Sequence, residues 1–131
     1  EYWYLYAELL TKINKNKEAE IAFKKVIDLE PNNIDAWIDY SNFLYDNNSK
    51  SKALKEVKKG IENNKDDLDL KLRLVAMQIS SGLIPDAKSS LSKMQHLDKN
   101  IFKKLIDIYP EVLKDKSMNQ FFDFYNDNSS K

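Results

Sequence analysis

Residues 3–31 read WYLYAELLTKINKNKEAEIAFKKVIDLEP, and the same order of side chains returns from Trp37. Trp3 comes back as Trp37, Tyr6 as Tyr40, Ala7 as Ser41 and Leu10 as Leu44, each after a step of 34 residues. Ala19 comes back twice, as Ala53 and Ala87, at the same step. A fixed period of this length is the mark of stacked supersecondary units, each unable to bury its apolar face alone.

Working outward, apolar spacing and stop signals predict helices at about 2–12, 17–29, 34–45, 50–62 and 67–80. A further helix carries Pro85 in its first turn and runs to about His96, since a missing N–H is harmless there. Asn14-Lys15-Asn16 and 46–49 read as turns, and Pro31 ends the second helix because the residue before a proline is pushed out of the α region. Asn32-Asn33 offers an N-cap, and Gly82 a left-handed C-cap. A fourth A-type helix is expected at about 100–109, broken early by Pro110. Ser117 is expected to cap a last helix presenting Met118, Phe121, Phe122 and Tyr125 on one face.

Trp3, Tyr6-Ala7, Leu10, Ala19, Phe23, Val26 and Pro31 together resemble the tetratricopeptide repeat pattern. The second unit departs at Val57, Gly60 and Lys65. The third departs more, with Lys71 in place of the tryptophan, Gln78 in place of the tyrosine and Lys99 in place of the proline. The resemblance implies an all-α, right-handed α-solenoid of antiparallel helix pairs. It would hold about three repeats (1–33, 34–67 and 68–100), a C-terminal capping helix pair at 101–126 and a polar tail at 127–131. Ala19, Ala53 and Ala87 would sit where paired helices cross closely, and Trp3 and Trp37 would fill the core between them. Phe121 stands where a fourth alanine belongs, so the last helix is expected to cover the end of the stack at a wider spacing. Because Glu1 falls near the start of a repeat, the chain is expected to be a single domain cut from a longer array.

Composition narrows the function. Lys and Arg number 21 against 21 for Asp and Glu, and Arg73 is the one arginine. A net charge of zero disfavours nucleic acid and anionic membranes, which reward a basic surface. No apolar run reaches the length of a membrane span. With no cysteine and one histidine, His96, thiolate chemistry is excluded and a metal site would need a cage of carboxylates. His96 reads as a capping or surface residue. Asp66-Asp67-Leu68-Asp69 reads as acid favoured at a helix N-terminus rather than as a calcium loop. Two glycines, Gly60 and Gly82, cannot build a phosphate cradle. No catalytic residues, cofactor or metal are expected.

The resemblance implies a concave groove lined by the first helix of each repeat, receiving a protein or peptide segment. The residues placed there are Tyr4, Glu8, Asp35, Ile38, Asp39, Asn42, Tyr45, Asp69, Leu72 and Arg73, with Asp46 beside them. One subgroup of the family grips a C-terminal carboxylate with Lys, Asn, Asn, Lys and Arg. Tyr4, Glu8, Asp39, Asp69 and Arg73 stand at those positions, so only Arg73 agrees and a chaperone-tail role is disfavoured. What remains is an acidic groove with apolar footholds, suited to a basic, partly apolar segment. Two alternatives stand beside this scaffold reading. One is self-association through Tyr2, Trp3, Tyr4 and Tyr6 of the first repeat; the other is a regulatory domain of a larger protein.

Overall fold

The period is written into the backbone turns. Asn14, Asn48 and Gly82, each 34 positions from the next, hold the left-handed conformation at φ 61°, 64° and 80°. After each, a backbone N–H reaches back five residues: Lys15 to Leu10 at 2.9 Å, Ser49 to Leu44 at 2.9 Å and Leu83 to Gln78 at 2.8 Å. The left-handed residue itself donates three residues back, to Thr11, Tyr45 and Ile79. This is the Schellman closure, which satisfies carbonyls left over at a helix end and reverses the chain. The same turn thus recurs three times at the 34-residue step, built on asparagine twice and glycine once.

The structure is a computed structural model that describes residues 2–94 and 100–129, with side chains as far as Tyr125 in the last helix. His96 and Lys99, with the expectations attached to them, lie outside the described residues. Those described form eight α-helices and one 3-10 helix, with no strand among them. They are α1 (Tyr2–Lys12), α2 (Asn16–Leu29), α3 (Ile34–Asp46), α4 (Lys50–Asn63), α5 (Leu68–Ser80), α6 (Ile84–Met94), α7 (Ile101–Ile108), the 3-10 helix Pro110–Lys114 and α8 (Lys116–Ser129). The fold is all-α. Backbone contacts divide it into two compact units, one up to Leu70 and one from Lys71 onward.

In the first unit α1 packs on α2, α3 on α4, and α2 meets α3. Turns this short leave each helix only an antiparallel neighbour. Asn33 caps α3 by accepting the Ala36 N–H at 3.1 Å, and Asp67 caps α5 by accepting the Leu70 N–H at 2.9 Å. The two caps are again one period apart, and Asp67 stands just before the helix rather than within it. Ala19 and Ala53 are fully buried, as close helix packing requires. Trp37 is only 4% exposed, and its indole N–H donates to the Pro31 carbonyl at 2.8 Å.

Trp3 corrects the sequence reading, being half-buried instead of in the core. Its ring lies beside Tyr2 at 5.6 Å and Tyr6 at 6.2 Å, with the Lys25 ammonium 6.0 Å from its centre. The two tryptophans also differ in the residue that stands across the helix pair from them. Gly60 leaves room for the Trp37 indole, whereas Val26, one period earlier, puts a branched side chain in the corresponding place.

In the second unit Ala87 and Leu91 of α6 are fully buried, as are Leu105, Val112 and Met118, and Ile101 nearly so. α8 packs on α6 and on the 3-10 helix. Phe102 of α7 meets Phe122 at 4.7 Å, Tyr125 at 5.8 Å and Phe121 at 6.1 Å. Phe121 joins this aromatic cluster half-buried, where a small residue would have allowed closer crossing. The cap of α8 is Asp115, which accepts the Met118 N–H at 2.9 Å. Ser117 instead accepts from the Lys88 ammonium at 2.6 Å. A carboxylate just before the first turn outcompetes the hydroxyl two residues too late. α8 also continues through Ser129, past the expected start of a polar tail, since adding residues to an existing helix costs far less than nucleating one.

Candidate functional site

Helix periodicity brings residues four apart onto one face. On α1 this aligns Tyr4, Glu8 and Lys12; on α3 it aligns Asp35 with Asp39, and Asn42 with Asp46. Where the two helices face each other, Glu8, Thr11, Lys12, Asp39, Asn42 and Asp46 surround a cleft of about 260 Å³. Phe23 of α2 and Phe43 of α3 complete its lining, their rings 5.5 Å apart. Three carboxylates and one ammonium therefore rim an aromatic floor. At this short range the site favours a cation, and the low-dielectric floor strengthens that preference.

The Tyr4 hydroxyl donates to the Asp39 carboxylate and ties α1 to α3 at the rim. Burial, then the hydrogen bond and charge of Asp39, then Glu8 and Asp35, push the Tyr4 phenol well above its ordinary value. It is a neutral donor at neutral pH, and so holds Asp39 in place without adding charge. Thr11 turns its hydroxyl back to the Ala7 carbonyl at 2.8 Å, leaving its methyl group as the part free to meet a ligand.

Among the expected residues, Glu8, Asp39 and Asn42 come together at the cleft, with Tyr4 bonded to its edge. Asp35 is exposed in the first turn of α3, and Ile38, three residues on, is half-buried. Tyr45 is half-buried, with the Lys50 ammonium 5.2 Å from its ring centre. Asp69 is exposed in the first turn of α5. Leu72, expected on the open face, is 2% exposed and offers a partner almost no area. Arg73 is half-buried, and its Nε is enclosed without a hydrogen-bond partner.

Phe23 and Phe43 were not among the expected site residues. Phe23 fits the repeat pattern as a core position, and the same ring that seals the helix pair forms the cleft floor. A second charged group also went unforeseen. Glu20 of α2 accepts from Lys52 of α4 and from the Tyr40 hydroxyl of α3 at 3.2 Å, with Lys24 at 3.6 Å. It joins three helices through one carboxylate, a convergence that no local sequence signal announces.

Compared with known families, residues 14–71 match the tetratricopeptide repeat. Over that stretch the chain is similar to tetratricopeptide repeat proteins. The match covers α2, α3, α4 and the start of α5, and so includes the Asn42, Asp39, Asp46, Phe23 and Phe43 side of the cleft. No curated protein matches the chain. Tetratricopeptide repeats mediate protein–protein interaction and are typically non-catalytic scaffolds. No helix among the described residues is long and apolar enough to cross a membrane. Nor do three or more His, Asp or Glu side chains gather among them as metal ligands.

Proposed function

We propose that the cleft between α1 and α3 holds a basic, partly apolar segment of a partner protein. The observation that carries this reading is the pairing of three carboxylates, Glu8, Asp39 and Asp46, with the Phe23 and Phe43 floor in one cleft. A lysine or arginine side chain satisfies both parts, its stem on the rings and its head among the carboxylates. Tyr4 supports the arrangement by fixing Asp39 before a ligand arrives, so less ordering is left to binding. Asp35 and Asp69, both exposed and acidic, extend the same preference along the first helices of the repeats. Charge of this kind gives encounter rate and register more than raw affinity.

The test is fluorescence anisotropy with two labelled peptides of equal length, one lysine-rich and amphipathic, the other its glutamate counterpart. The basic peptide is expected to bind at least roughly tenfold more tightly, and its affinity to fall as salt is raised. Asp39→Lys should remove the preference while circular dichroism shows the helices intact. Equal binding of the two peptides, or affinity indifferent to salt, would overturn the reading.

A further inference from the structure

We infer that Lys12 limits the segment held between α1 and α3 to one basic side chain at the cleft, seated at its Glu8 and Asp39 end. This rests on the cleft being the site of a basic segment, as proposed above, and specifies the charge pattern of that segment. Lys12 is the one cation in the cleft lining. Its ammonium and the Asp46 carboxylate are in no ion pair among the described residues, so both can act on what enters.

Register decides where these charges stand. α1 and α3 each pack antiparallel to α2, so they run parallel to each other. The bond from Tyr4 to Asp39 fixes the start of α1 against the middle of α3. Glu8 follows Tyr4 by one turn and Lys12 by two, while Asp46 follows Asp39 by two. Lys12 and Asp46 are also one 34-residue period apart, and they close the same end of the cleft from opposite walls.

The two ends therefore differ in sign. At the first, Glu8 and Asp39 stand together, and Asp35 joins them in acting on the Tyr4 phenol. At the second, the ammonium of Lys12 and the carboxylate of Asp46 cancel. Glu8 and Lys12, four residues apart, are separated by about 6 Å along the helix axis. An extended chain advances about 3.3 Å per residue and turns alternate side chains to one side, so the residue two along from a seated lysine lies about 7 Å away, at the Lys12 end. A second cation there gains from Asp46 what it loses to Lys12. A neutral or apolar side chain there loses nothing and meets the Phe23 and Phe43 floor. Lys12 also suits the last turn of α1, where the helix dipole favours a cation, but that role alone would be indifferent to the peptide's charge pattern.

Fluorescence anisotropy on the 131-residue chain tests this with four labelled peptides of equal length on one neutral, partly apolar background. They carry a single lysine, a single glutamate in its place, two lysines two residues apart, or two lysines six residues apart. Wild type should prefer the single lysine to the glutamate, and a second lysine two residues away should change its affinity less than about twofold. In Lys12→Glu the same second lysine should tighten binding at least about fivefold, with Lys12→Gln in between. The lysine six residues away should show no such dependence on Lys12. Lys12 is exposed, and circular dichroism confirms that the variants keep their helices. A second lysine that helps wild type as much as Lys12→Glu would overturn the role of Lys12 and leave the preference for a basic segment standing. The same holds for a gain in Lys12→Glu that is equal at both spacings, since it would report net charge rather than position. A single lysine that binds wild type no better than glutamate would overturn the basic-segment reading, and this inference with it.

Discussion

A Cβ added to Gly60 would stand 2.9 Å from Cγ of the Trp37 indole, with Cδ2 at 3.0 Å and Cβ at 3.1 Å. The missing side chain on α4 is the space that the tryptophan of α3 fills. Alanine is the better helix former by about 1 kcal/mol. The indole cannot easily retreat, being buried and held by its bond to the Pro31 carbonyl. Overpacking of about 1–3 kcal/mol therefore outweighs propensity, and Gly60→Ala should be destabilising. Urea denaturation checks it; an increased midpoint would mean that the indole moves freely.

Gly82 should also resist alanine, for a different reason. A Cβ there meets nothing within 4 Å, so space is no obstacle, but φ is +80°. An L side chain in the left-handed region costs about 1–2 kcal/mol, against about 0.4–1 kcal/mol recovered from a stiffer unfolded chain. Gly82→Ala should lose stability on the order of 1 kcal/mol, and Gly82→Asn less, because Asn14 and Asn48 already hold this turn. Thermal melts of both variants decide the order, and alanine melting above asparagine would refute the account.

These glycines also show how far the sequence could be read. The 34-residue period was legible from Trp3 to Ala87, and with it the helix pairs, because every repeat needs the same small residue and the same turn. Gly60, one departure from the pattern, gave no hint of its role, since its cause lies across the helix pair on Trp37. The acids at the cleft were legible through the resemblance to the repeat family. The Phe23 and Phe43 floor was not, because a ring that packs the core and also lines a cleft leaves one signal for two roles. Leu72 was misplaced for the converse reason: an apolar residue at a face position can just as well be buried.

Ser41 is fully buried and its hydroxyl has no hydrogen-bond partner. Its counterpart one period earlier is Ala7, equally buried. Removing an unsatisfied hydroxyl without opening a large void should leave stability unchanged or raise it by up to about 1 kcal/mol. A clear loss on Ser41→Ala in urea titration would mean that the hydroxyl finds a partner in solution.

Stability should fall in acid through Glu20. Burial alone would raise its pKa, but the hydrogen bond and charge of Lys52, the charge of Lys24 and the Tyr40 hydroxyl together hold it below its ordinary 4.5. The ionised carboxylate is thus favoured by the fold, so its contribution is complete above the unfolded value and is lost as pH falls through the lowered one. Glu20→Gln should be less stable than the wild type at neutral pH, with the difference shrinking between about pH 5 and pH 3. A difference constant across that range, in urea midpoints, would exclude Glu20 as the titrating group.

The alkaline side should be governed by Tyr4 and Tyr40. Burial, then the charges of Glu20 and Glu56, then the hydrogen bond to Glu20, raise Tyr40 well above its ordinary 10.0; burial and Asp39 do the same for Tyr4. In both the fold favours the neutral phenol. Their contributions are therefore complete below the unfolded value near 10 and are lost as pH rises past it toward the raised folded values. Tyr40→Phe removes a donor to Glu20 and should cost about 1.5 kcal/mol at about pH 8, the low end of the range for a hydrogen bond to a charged acceptor. By about pH 11 the wild type should have lost most of that advantage, because unfolding then releases a proton from a phenol that the fold kept bound. Urea midpoints for Tyr4→Phe, Tyr40→Phe and the wild type at the two pH values give the answer. An advantage that persists undiminished at the higher pH would show that these two phenols ionise in the folded protein at their ordinary value.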